Sequence, residues 1–361
     1  MNKQSMRTTV EINGRPIGPG HPVYVIAEMS SNHGQDFDRA VEIIRAAKEA
    51  GADAVKLQTF TPSGHTLNSG REFFRVGGGT PWDGRTLYDL YVEASMPWEW
   101  QPKLVDVAKR IGIDLFSSPV DAESVEFLQR LGMPAYKIAS FDMVDLDLVR
   151  RAAQTGKPLI ISTGMATLAE IEEAIAAAAS GGATEVALLK CTSAYPAPAE
   201  EMNLRGIRHL QRVFGLPVGL SDHSLGMVST IAAVALGACI VEKHFTLSRV
   251  PPGPDSGFSI EPPELAEMVR AIRTVEAALG SERYQLGEQE HGSRMFRRSL
   301  FVVRDVSAGE LLTADHVRSI RPGHGLHPRH RGDIVGRRAA RDITAGTPVS
   351  WSLISEGESA S

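Results

Sequence analysis

Two histidines end consecutive apolar segments of the sequence. His223 ends the segment VGLSDH, and His244 ends the segment CIVEKH, 21 residues further along the chain. If these segments are neighbouring parallel strands, their carboxyl ends share one edge and the two imidazoles face each other. Two neutral imidazoles flanked by Asp222 and Glu242 suit a divalent transition metal that keeps open coordination positions. A lone strand-end histidine more often bonds to a neighbour, but the matched pair favours a metal site.

Polar side chains also end the other apolar segments of the chain. Lysines supply positive charge and hydroxyl groups supply hydrogen bonds, so that together they suit a bound phosphate or carboxylate. The set comprises Glu28, Lys56, Ser117, Ser118, Lys137, Ser140, Ser162, Thr163, Lys190, Ser193 and Ser221. It predicts a site for a small phosphorylated anion beside the histidine pair. His33, in the loop after the first segment, fits a loop-shaping role as well as a substrate contact.

Eight apolar segments carry these residues, and helical patterns separate them. The segments are VYVIAE, AVKLQT, DLFSSP, AYKIAS, LIISTG, VALLKCTS, VGLSDH and CIVEKH. This alternation predicts an α/β protein with a (β/α)8 TIM barrel, in which the carboxyl ends of all strands converge on one mouth. An open doubly wound sheet is the alternative, but the sequence lacks the glycine-rich phosphate loop that such sheets carry after their first strand.

The pattern changes twice outside the regular alternation. We predict a catalytic barrel over residues 1–280, a polar linker over 281–296 and a small β-rich domain over 297–361. Within the barrel, the segment between Phe60 and Gln101 is far longer than a βα loop requires, which predicts that it shapes a substrate pocket. Its aromatic residues, Trp82, Tyr88, Tyr91, Trp98 and Trp100, could equally form a satellite core that holds the segment down.

The bulk composition excludes several classes of partner. The 361 residues are 42% hydrophobic and 22% charged, with a net charge of −5 and without a Lys/Arg-rich run, so neither nucleic acid nor an anionic membrane is an expected partner. No apolar stretch at the N-terminus or elsewhere is typical of an export signal or a membrane span. Cys191 and Cys239 lie in apolar segments and are expected to be reduced thiols of a cytoplasmic protein.

Motifs along nearly the whole chain resemble those of the sialic acid synthase family, whose members condense phosphoenolpyruvate with an amino sugar. They include IAEMSSNH, PAYKIAS, CTSAYPAP, VGLSDHSLG, EKHFTL and GPDSGFSIEP, and the C-terminal IRPGHGL resembles the antifreeze-like, or SAF, domain of that family. The long insertion is most similar to the pseudaminic acid branch, which implies 2,4-diacetamido-2,4,6-trideoxy-L-altrose as acceptor. Synthesis of N-acetylneuraminate or legionaminate by the same mechanism is the alternative.

The resemblance also implies roles for individual residues. His223 and His244 would hold a divalent metal, expected to be Mn²⁺ with Mg²⁺ or Co²⁺ as alternatives, and Glu28 and Lys137 would be catalytic. The implied substrate-binding residues are Lys56, Gln58, Ser118, Ser140, Ser162, Ser193, Tyr195, Ser221, Asp255 and Arg321. Arg321 matches the SAF-domain arginine that reaches the active site of the partner subunit, which implies a domain-swapped homodimer.

Three other functions compete with a phosphoenolpyruvate-dependent synthase. A Schiff-base aldolase needs a strand lysine such as Lys137 or Lys190. A metal-dependent hydrolase with this fold usually carries an H-x-H pair on its first strand, where this chain has IAEMSS. A non-catalytic carbohydrate- or ice-binding protein would leave the strand-end polar residues unused, and its C-terminal domain is more basic than an ice-binding face should be.

Overall fold

The structure is a computed structural model that describes residues 6–281, 284 and 286–355. The chain forms two compact units, Met1–Gly280 and Ser281–Ser361. No helix among the described residues is long and apolar enough to cross a membrane.

A short antiparallel hairpin, which the sequence analysis did not predict, opens the first unit. Strands β1 (Val10–Ile12) and β2 (Arg15–Ile17) pair through a tight turn at Asn13 and Gly14, both with positive φ. Two consecutive residues with positive φ form a type I′ turn, whose twist matches the twist of the paired strands. The hairpin side chains of Val10, Ile12 and Ile17 are fully buried and pack with the inward residues of the barrel, so the hairpin closes the barrel floor.

Eight parallel strands close into a barrel, which confirms the predicted (β/α)8 fold. They are β3 (Tyr24–Glu28), β4 (Ala54–Thr59), β5 (Asp114–Pro119), β6 (Tyr136–Ile138), β7 (Leu159–Ser162), β8 (Val186–Cys191), β9 (Val218–Asp222) and β10 (Ile240–His244). The last strand pairs with the first, with His244 opposite Glu28, and β9 pairs with β10. The strands that end in the two histidines are therefore neighbours, as predicted.

The described residues of this unit form ten α-helices: α1 (Phe37–Glu49), α2 (Pro62–His65), α3 (Leu87–Ala94), α4 (Gln101–Ile111), α5 (Ala122–Arg130), α6 (Leu146–Gln154), α7 (Leu168–Ser180), α8 (Gly206–Phe214), α9 (Val228–Ala235) and α10 (Pro262–Leu279). Side-chain hydrogen bonds cap the N-termini of several of these helices. Asp36 caps α1 with its carboxylate, and Thr167 and Glu170 form a reciprocal capping box at α7. Helices α2 and α3 lie within the long insertion.

Side chains alternate between the inside and the outside of the barrel. The lower inward positions are apolar and join the hairpin in one cluster, whereas the outward positions pack against the helices in a second and larger cluster. Alternation also corrects two predictions. Ser117 follows the inward Phe116, and its hydroxyl lies 2.6 Å from Thr59 Oγ1 on the outer face. Lys190 follows the inward Leu189 and likewise points outward. Its ammonium donates to Thr192 Oγ1 at 3.0 Å, and its methylenes lie beside Gly206 of α8. Lys190 therefore does not contribute to the inner site.

A buried ion pair joins the ends of β9 and β10 on the outside of the barrel. Lys243 Nζ lies 2.8 Å from Asp222 Oδ2, and neither side chain is exposed. Asp222 also accepts hydrogen bonds from Ser224 and Thr230, and Lys243 donates to the carbonyl of Ser224 at 2.6 Å. Because Asp222 precedes His223 and Lys243 precedes His244, this network fixes the backbone that carries both histidines.

The second unit is a small β-rich domain preceded by a helical segment. It contains α11 (Glu288–Ser293), an antiparallel pair of β11 (Ser299–Val302) and β12 (Val317–Ile320), and α12 (Arg331–Ile334). Isolated bridges such as Val306–Ile343 extend the pairing, and the domain has its own core around Leu300, Val317 and Ile343. Helix α11 falls in the predicted linker 281–296, so this segment is not irregular throughout.

The buried pair yields a first prediction. We expect Lys243→Met to lower the free energy of unfolding by about 3–5 kcal/mol, because it leaves the Asp222 carboxylate buried without its counter-charge. Urea unfolding measures the change. Lys157→Met, at an exposed lysine of the same barrel, is the matched control and should stay within about 0.5 kcal/mol of the parent. Equal effects of the two substitutions would contradict the prediction.

Candidate active site

Four charged side chains meet inside the barrel near its mouth, as strand alternation requires. Lys56 Nζ lies 3.0 Å from Glu242 Oε1 and 3.4 Å from Glu28 Oε2. Lys137 Nζ lies 4.0 Å from the same oxygen of Glu242, and the Ser221 hydroxyl donates to it at 3.1 Å. All four charged side chains are almost fully buried. Burying charges costs free energy unless they are paired, so each lysine and carboxylate here depends on the others.

The shared environment shifts the pKa values of the two carboxyl groups in opposite directions. Burial raises the pKa of Glu28 to about 7, although the charge of Lys56 opposes the shift. Burial would also raise the pKa of Glu242, but Lys137 and Lys56 outweigh it and lower that pKa to about 2. Near neutral pH, Glu242 is therefore a permanent anion, whereas Glu28 can gain and lose a proton. Such divergence between neighbouring carboxyls is typical of acid–base sites.

A chain of hydrogen bonds links Glu28 to the loop after β10. The amide of Gln58 donates to Glu28 Oε1 at 2.8 Å and to the Ser30 hydroxyl at 3.0 Å. Ser30 in turn donates to the carboxylate of Asp255, which also accepts from the Ser31 hydroxyl at 3.0 Å. The predicted residues Gln58 and Asp255 thus belong to the same connected site as Glu28. Hydroxyl and amide partners of this kind orient a carboxylate without neutralising it.

The two predicted metal ligands lie side by side at the mouth. The rings of His223 and His244 have centroids 5.3 Å apart. His223 Nδ1 lies 2.9 Å from the carbonyl of Thr192, which makes it the donor and places the lone pair of the neutral ring on Nε2. Burial lowers the pKa of His223, but the contact with Cys191 outweighs it and raises that pKa, so a metal at Nε2 would compete with a proton. Burial lowers the pKa of His244 well below its usual value, and its Nδ1 is buried without a partner among the described residues.

This donor set fits a metal held by two protein ligands. A neutral imidazole with an available nitrogen is the form of histidine that binds a divalent transition metal. The described residues contain no group of three or more His, Cys, Asp or Glu side chains arranged to hold a metal ion. The protein would therefore supply two nitrogen ligands and leave the remaining coordination positions to other molecules.

Hydroxyl groups collect around Lys137 on the other side of the mouth. The Ser118 hydroxyl donates to the carbonyl of Lys137 at 2.9 Å, and the Ser162 hydroxyl is buried without a partner among the described residues. A Cβ at Gly164 would lie 2.2 Å from Ser193 Oγ and 2.8 Å from Ser140 Oγ, so glycine leaves room for both hydroxyl groups. The amide of Gly164 donates to Ser140 Oγ at 3.0 Å. This group of serines lies where the sequence predicts an anion site.

Different residues of the long insertion fit its two predicted roles, shaping the pocket and forming a satellite core. Trp82 packs on the rings of Tyr195 and Phe258 at centroid distances of 5.5 and 6.3 Å, and these two rings contact the histidine pair. Three other aromatic residues of the insertion form satellite contacts, with Tyr91 on Phe60, Trp98 on Phe127 and Trp100 on Phe37. One tryptophan of the insertion thus reaches the site, and these three residues hold the insertion against the barrel.

Three residues differ from, or add to, what the sequence indicated. His33 is fully buried, its Nδ1 accepts from the amide of Gln35 at 3.1 Å, and burial lowers its pKa to about 4, so it shapes the loop. Arg321 follows β12 in the second unit and is exposed there. Glu242 was predicted at the mouth beside His244, and the structure adds its contacts with Lys56 and Lys137. The two-residue spacing from His244 was the signal that both side chains share the inner face.

Comparisons with known protein families match both units. Residues 43–284 match the profile of the NeuB family, and residues 297–355 match that of the SAF domain. The pseudaminic acid synthase of Helicobacter pylori is 44% identical over 330 residues, which are 91% of this chain and 97% of that protein. The N,N'-diacetyllegionaminic acid synthase of Legionella pneumophila is 36% identical over 97% of this chain and 99% of that protein.

A solved structure agrees with the sequence matches. The spore coat polysaccharide biosynthesis protein SpsE of Bacillus subtilis superposes with a TM-score of 0.66 and 33% identity, covering 97% of this chain and 100% of that chain. The similarity extends over both units of the chain, and it agrees with the predicted combination of a barrel with a SAF domain.

The charge cluster generates a second prediction. Burial lowers the pKa of Lys137 to about 8, and the Glu242 carboxylate limits that fall. We expect Glu242→Gln to lower the pKa of Lys137 by a further 1–3 pH units or so, because an opposite charge at this distance is lost. The pH dependence of acetylation at Lys137, followed by mass spectrometry, measures the pKa, with the exposed Lys157 as internal control. An unchanged profile at Lys137 would show that Glu242 does not hold its charge.

Proposed function

The chain belongs to the NeuB family, and from that membership we propose that it makes pseudaminic acid from phosphoenolpyruvate and 2,4-diacetamido-2,4,6-trideoxy-L-altrose. The choice of product rests on one observation, the 44% identity with a protein of that name across 91% of the chain. Synthesis of N,N'-diacetyllegionaminate is the second candidate, because a relative with that name is 36% identical over 97% of the chain. Both products require the same bond-forming chemistry at the same inner residues.

The anion side of the mouth suits phosphoenolpyruvate. Its phosphate and carboxylate groups need positive charge and hydrogen-bond donors, which Lys56, Lys137 and the serines around Gly164 supply. Lys137 keeps its proton through its proximity to the anionic Glu242. The inner lysines would also stabilise the charge that moves onto the phosphate as it leaves.

The histidine side of the mouth suits the aldehyde of the sugar. When bound by His223 and His244, a divalent metal, which we expect to be Mn²⁺ with Mg²⁺ or Co²⁺ as alternatives, supplies Lewis-acid polarisation to a carbonyl oxygen. C3 of phosphoenolpyruvate attacks the aldehyde carbon as the C2–C3 double bond opens, and water adds at C2. Glu28 accepts the proton of that water, a role that fits its pKa of about 7. The aldehyde oxygen finally takes up the proton that this water loses and becomes a hydroxyl group. Cleavage of the C–O bond at C2 releases phosphate and leaves a 2-keto acid.

A Schiff-base route is the mechanistic competitor. Lys137 has a lowered pKa of about 8, as an imine-forming lysine requires. Its ammonium, however, is engaged by the carbonyl of Ile138 at 3.1 Å and by Glu242, an arrangement that favours a fixed positive charge. Lys190 points away from the site and drops out as a candidate.

We also propose that the working unit is a domain-swapped homodimer. Large apolar side chains on the loops after β6, β7 and β9 are more than half exposed at the mouth, namely Phe141, Val144, Met165 and Leu225. Several exposed apolar side chains beside a polar site are typical of a surface that a partner covers. Arg321 of a second copy would then bring a cation over the sugar, in keeping with the resemblance that identified this residue.

The principal test is phosphate release from phosphoenolpyruvate with Mn²⁺ and separate L-altro, gluco and manno diacetamido sugars, with mass spectrometry of the products. We expect turnover with the L-altro sugar, its loss with EDTA, and its loss in His244→Ala, because the aldehyde is then not polarised. His209→Ala, at an exposed histidine of α8, is the control that should retain activity.

Each other outcome has a defined meaning. Turnover with a manno sugar alone would show that the proposed product is wrong and that the proposed reaction type is right. A borohydride-trapped adduct on Lys137 would support the aldolase. Silence of the folded, metal-loaded protein with every sugar would refute the synthase assignment.

The swapped site is tested by complementation. Arg321→Ala and His244→Ala, each carrying a different tag, are co-expressed and the mixed dimer is purified through both tags. If Arg321 acts across the dimer, one of the two sites is intact and the mixed dimer should recover about half of the parental activity. Each variant alone should be inactive. An inactive mixed dimer would place Arg321 in its own subunit's site, and full activity of Arg321→Ala alone would place it outside the site.

A further inference from the structure

Contacts within the long insertion and with a neighbouring loop fix the position of Trp82. The backbone of Val76 pairs with Arg85 at 2.8 Å and closes a narrow loop around it. At the tip of this loop, the carboxylate of Asp83 accepts hydrogen bonds from the amides of Gly79 and Thr80, each at 2.9 Å. The indole N–H of Trp82 donates to the carbonyl of Pro254 at 2.9 Å. The tryptophan is therefore held in place by its own loop and by the loop that carries Asp255.

The contacts of Trp82 connect it to the histidine pair through two other rings. Tyr195 lies 4.3 Å from His223, Phe258 lies 4.9 Å from His244, and Trp82 packs on both Tyr195 and Phe258. These three residues form a continuous aromatic wall that begins at the histidines and ends at Trp82. A linear sugar whose aldehyde lies at the histidines would meet Trp82 with carbons far from the aldehyde.

The chemistry of this wall selects the kind of group that lies against it. The only polar hydrogen of the indole is already used by Pro254, so the part of Trp82 that remains available is the apolar ring face. Such a face favours a methyl group and gives a hydroxyl group no hydrogen-bond partner. The proposed acceptor carries two methyl groups far from its aldehyde, one at C6 and one on the acetamido group of C4.

We propose that Trp82 is a specificity-determining residue whose indole face packs against a distal methyl group of the acceptor, either the C6 methyl or the methyl of the C4 acetamido group. This inference rests on the proposed function. It gives the long insertion a role in the choice of sugar, because Trp82 belongs to the insertion and packs on Tyr195 and Phe258 beside the histidines.

The test compares the parent with Trp82→Ala on three acceptors: the diacetamido trideoxy sugar, its 6-hydroxy analogue and its 4-formamido analogue, which lacks the acetyl methyl. In the parent, we expect kcat/KM for one analogue to be about 10–200-fold below that of the methyl-bearing sugar. In Trp82→Ala this preference should fall to within about threefold, while KM for phosphoenolpyruvate changes less than twofold. The analogue whose disadvantage disappears identifies the methyl that Trp82 contacts.

Trp98→Ala is the matched control, because Trp98 belongs to the same insertion but packs on Phe127 and donates to the carbonyl of Phe60. It should leave both preferences as in the parent. Trp82→Phe, which keeps an aromatic face, should retain most of the preference. If Trp82→Ala lowers kcat/KM equally for all three acceptors, or leaves the preferences unchanged, the inference is wrong. Failure of the parent with every acceptor would instead refute the proposed function.

Discussion

The carboxylate of Glu242 lies between the ammonium groups of Lys56 and Lys137 inside the barrel, and the other side chains of the site are arranged around this contact. Buried charges are tolerated only when they neutralise one another, so two lysines require anionic neighbours at these positions. Both lysines lie close to Glu242 and lower its pKa, so that its carboxylate stays ionised. Burial raises the pKa of Glu28 into the range of a working base, because the charge of Lys56 offsets only part of that effect. One arrangement thus provides both the anion-binding charge and the acid–base group.

The interior of the barrel is divided by height. Apolar side chains fill the lower positions together with the N-terminal hairpin, charged and hydroxyl groups fill the next, and the histidines with the aromatic wall lie at the mouth. Outside the strands, the Asp222–Lys243 pair holds the two histidine-bearing strand ends together. The polar level would take the small anionic reactant, and the level above it the sugar. The second unit has its own core, as expected for a separately folded domain.

The barrel could be predicted from sequence because each strand is an apolar run with a polar end, and its strands lie within one or two residues of the predicted segments. The histidine pair followed from the equal position of two residues on adjacent strands. Residues facing outward could not be separated so simply, and Lys190 was placed in the site because the two-residue alternation was not applied to β8. The hairpin at Asn13 and Gly14 was missed although its turn residues are typical. The contact of Trp82 depends on how a 40-residue insertion folds back, which no local pattern specifies.

The hairpin that closes the barrel floor bears on the kinetics. Because Val10, Ile12 and Ile17 fill that end, molecules reach the polar level from the mouth. A reactant that binds deep in such a tube has to arrive before one that binds above it, since the second arrival covers the first. The deeper product fragment likewise departs after the upper one has moved aside. The order in which two reactants load would then follow from the depth of their sites and not from their relative affinities.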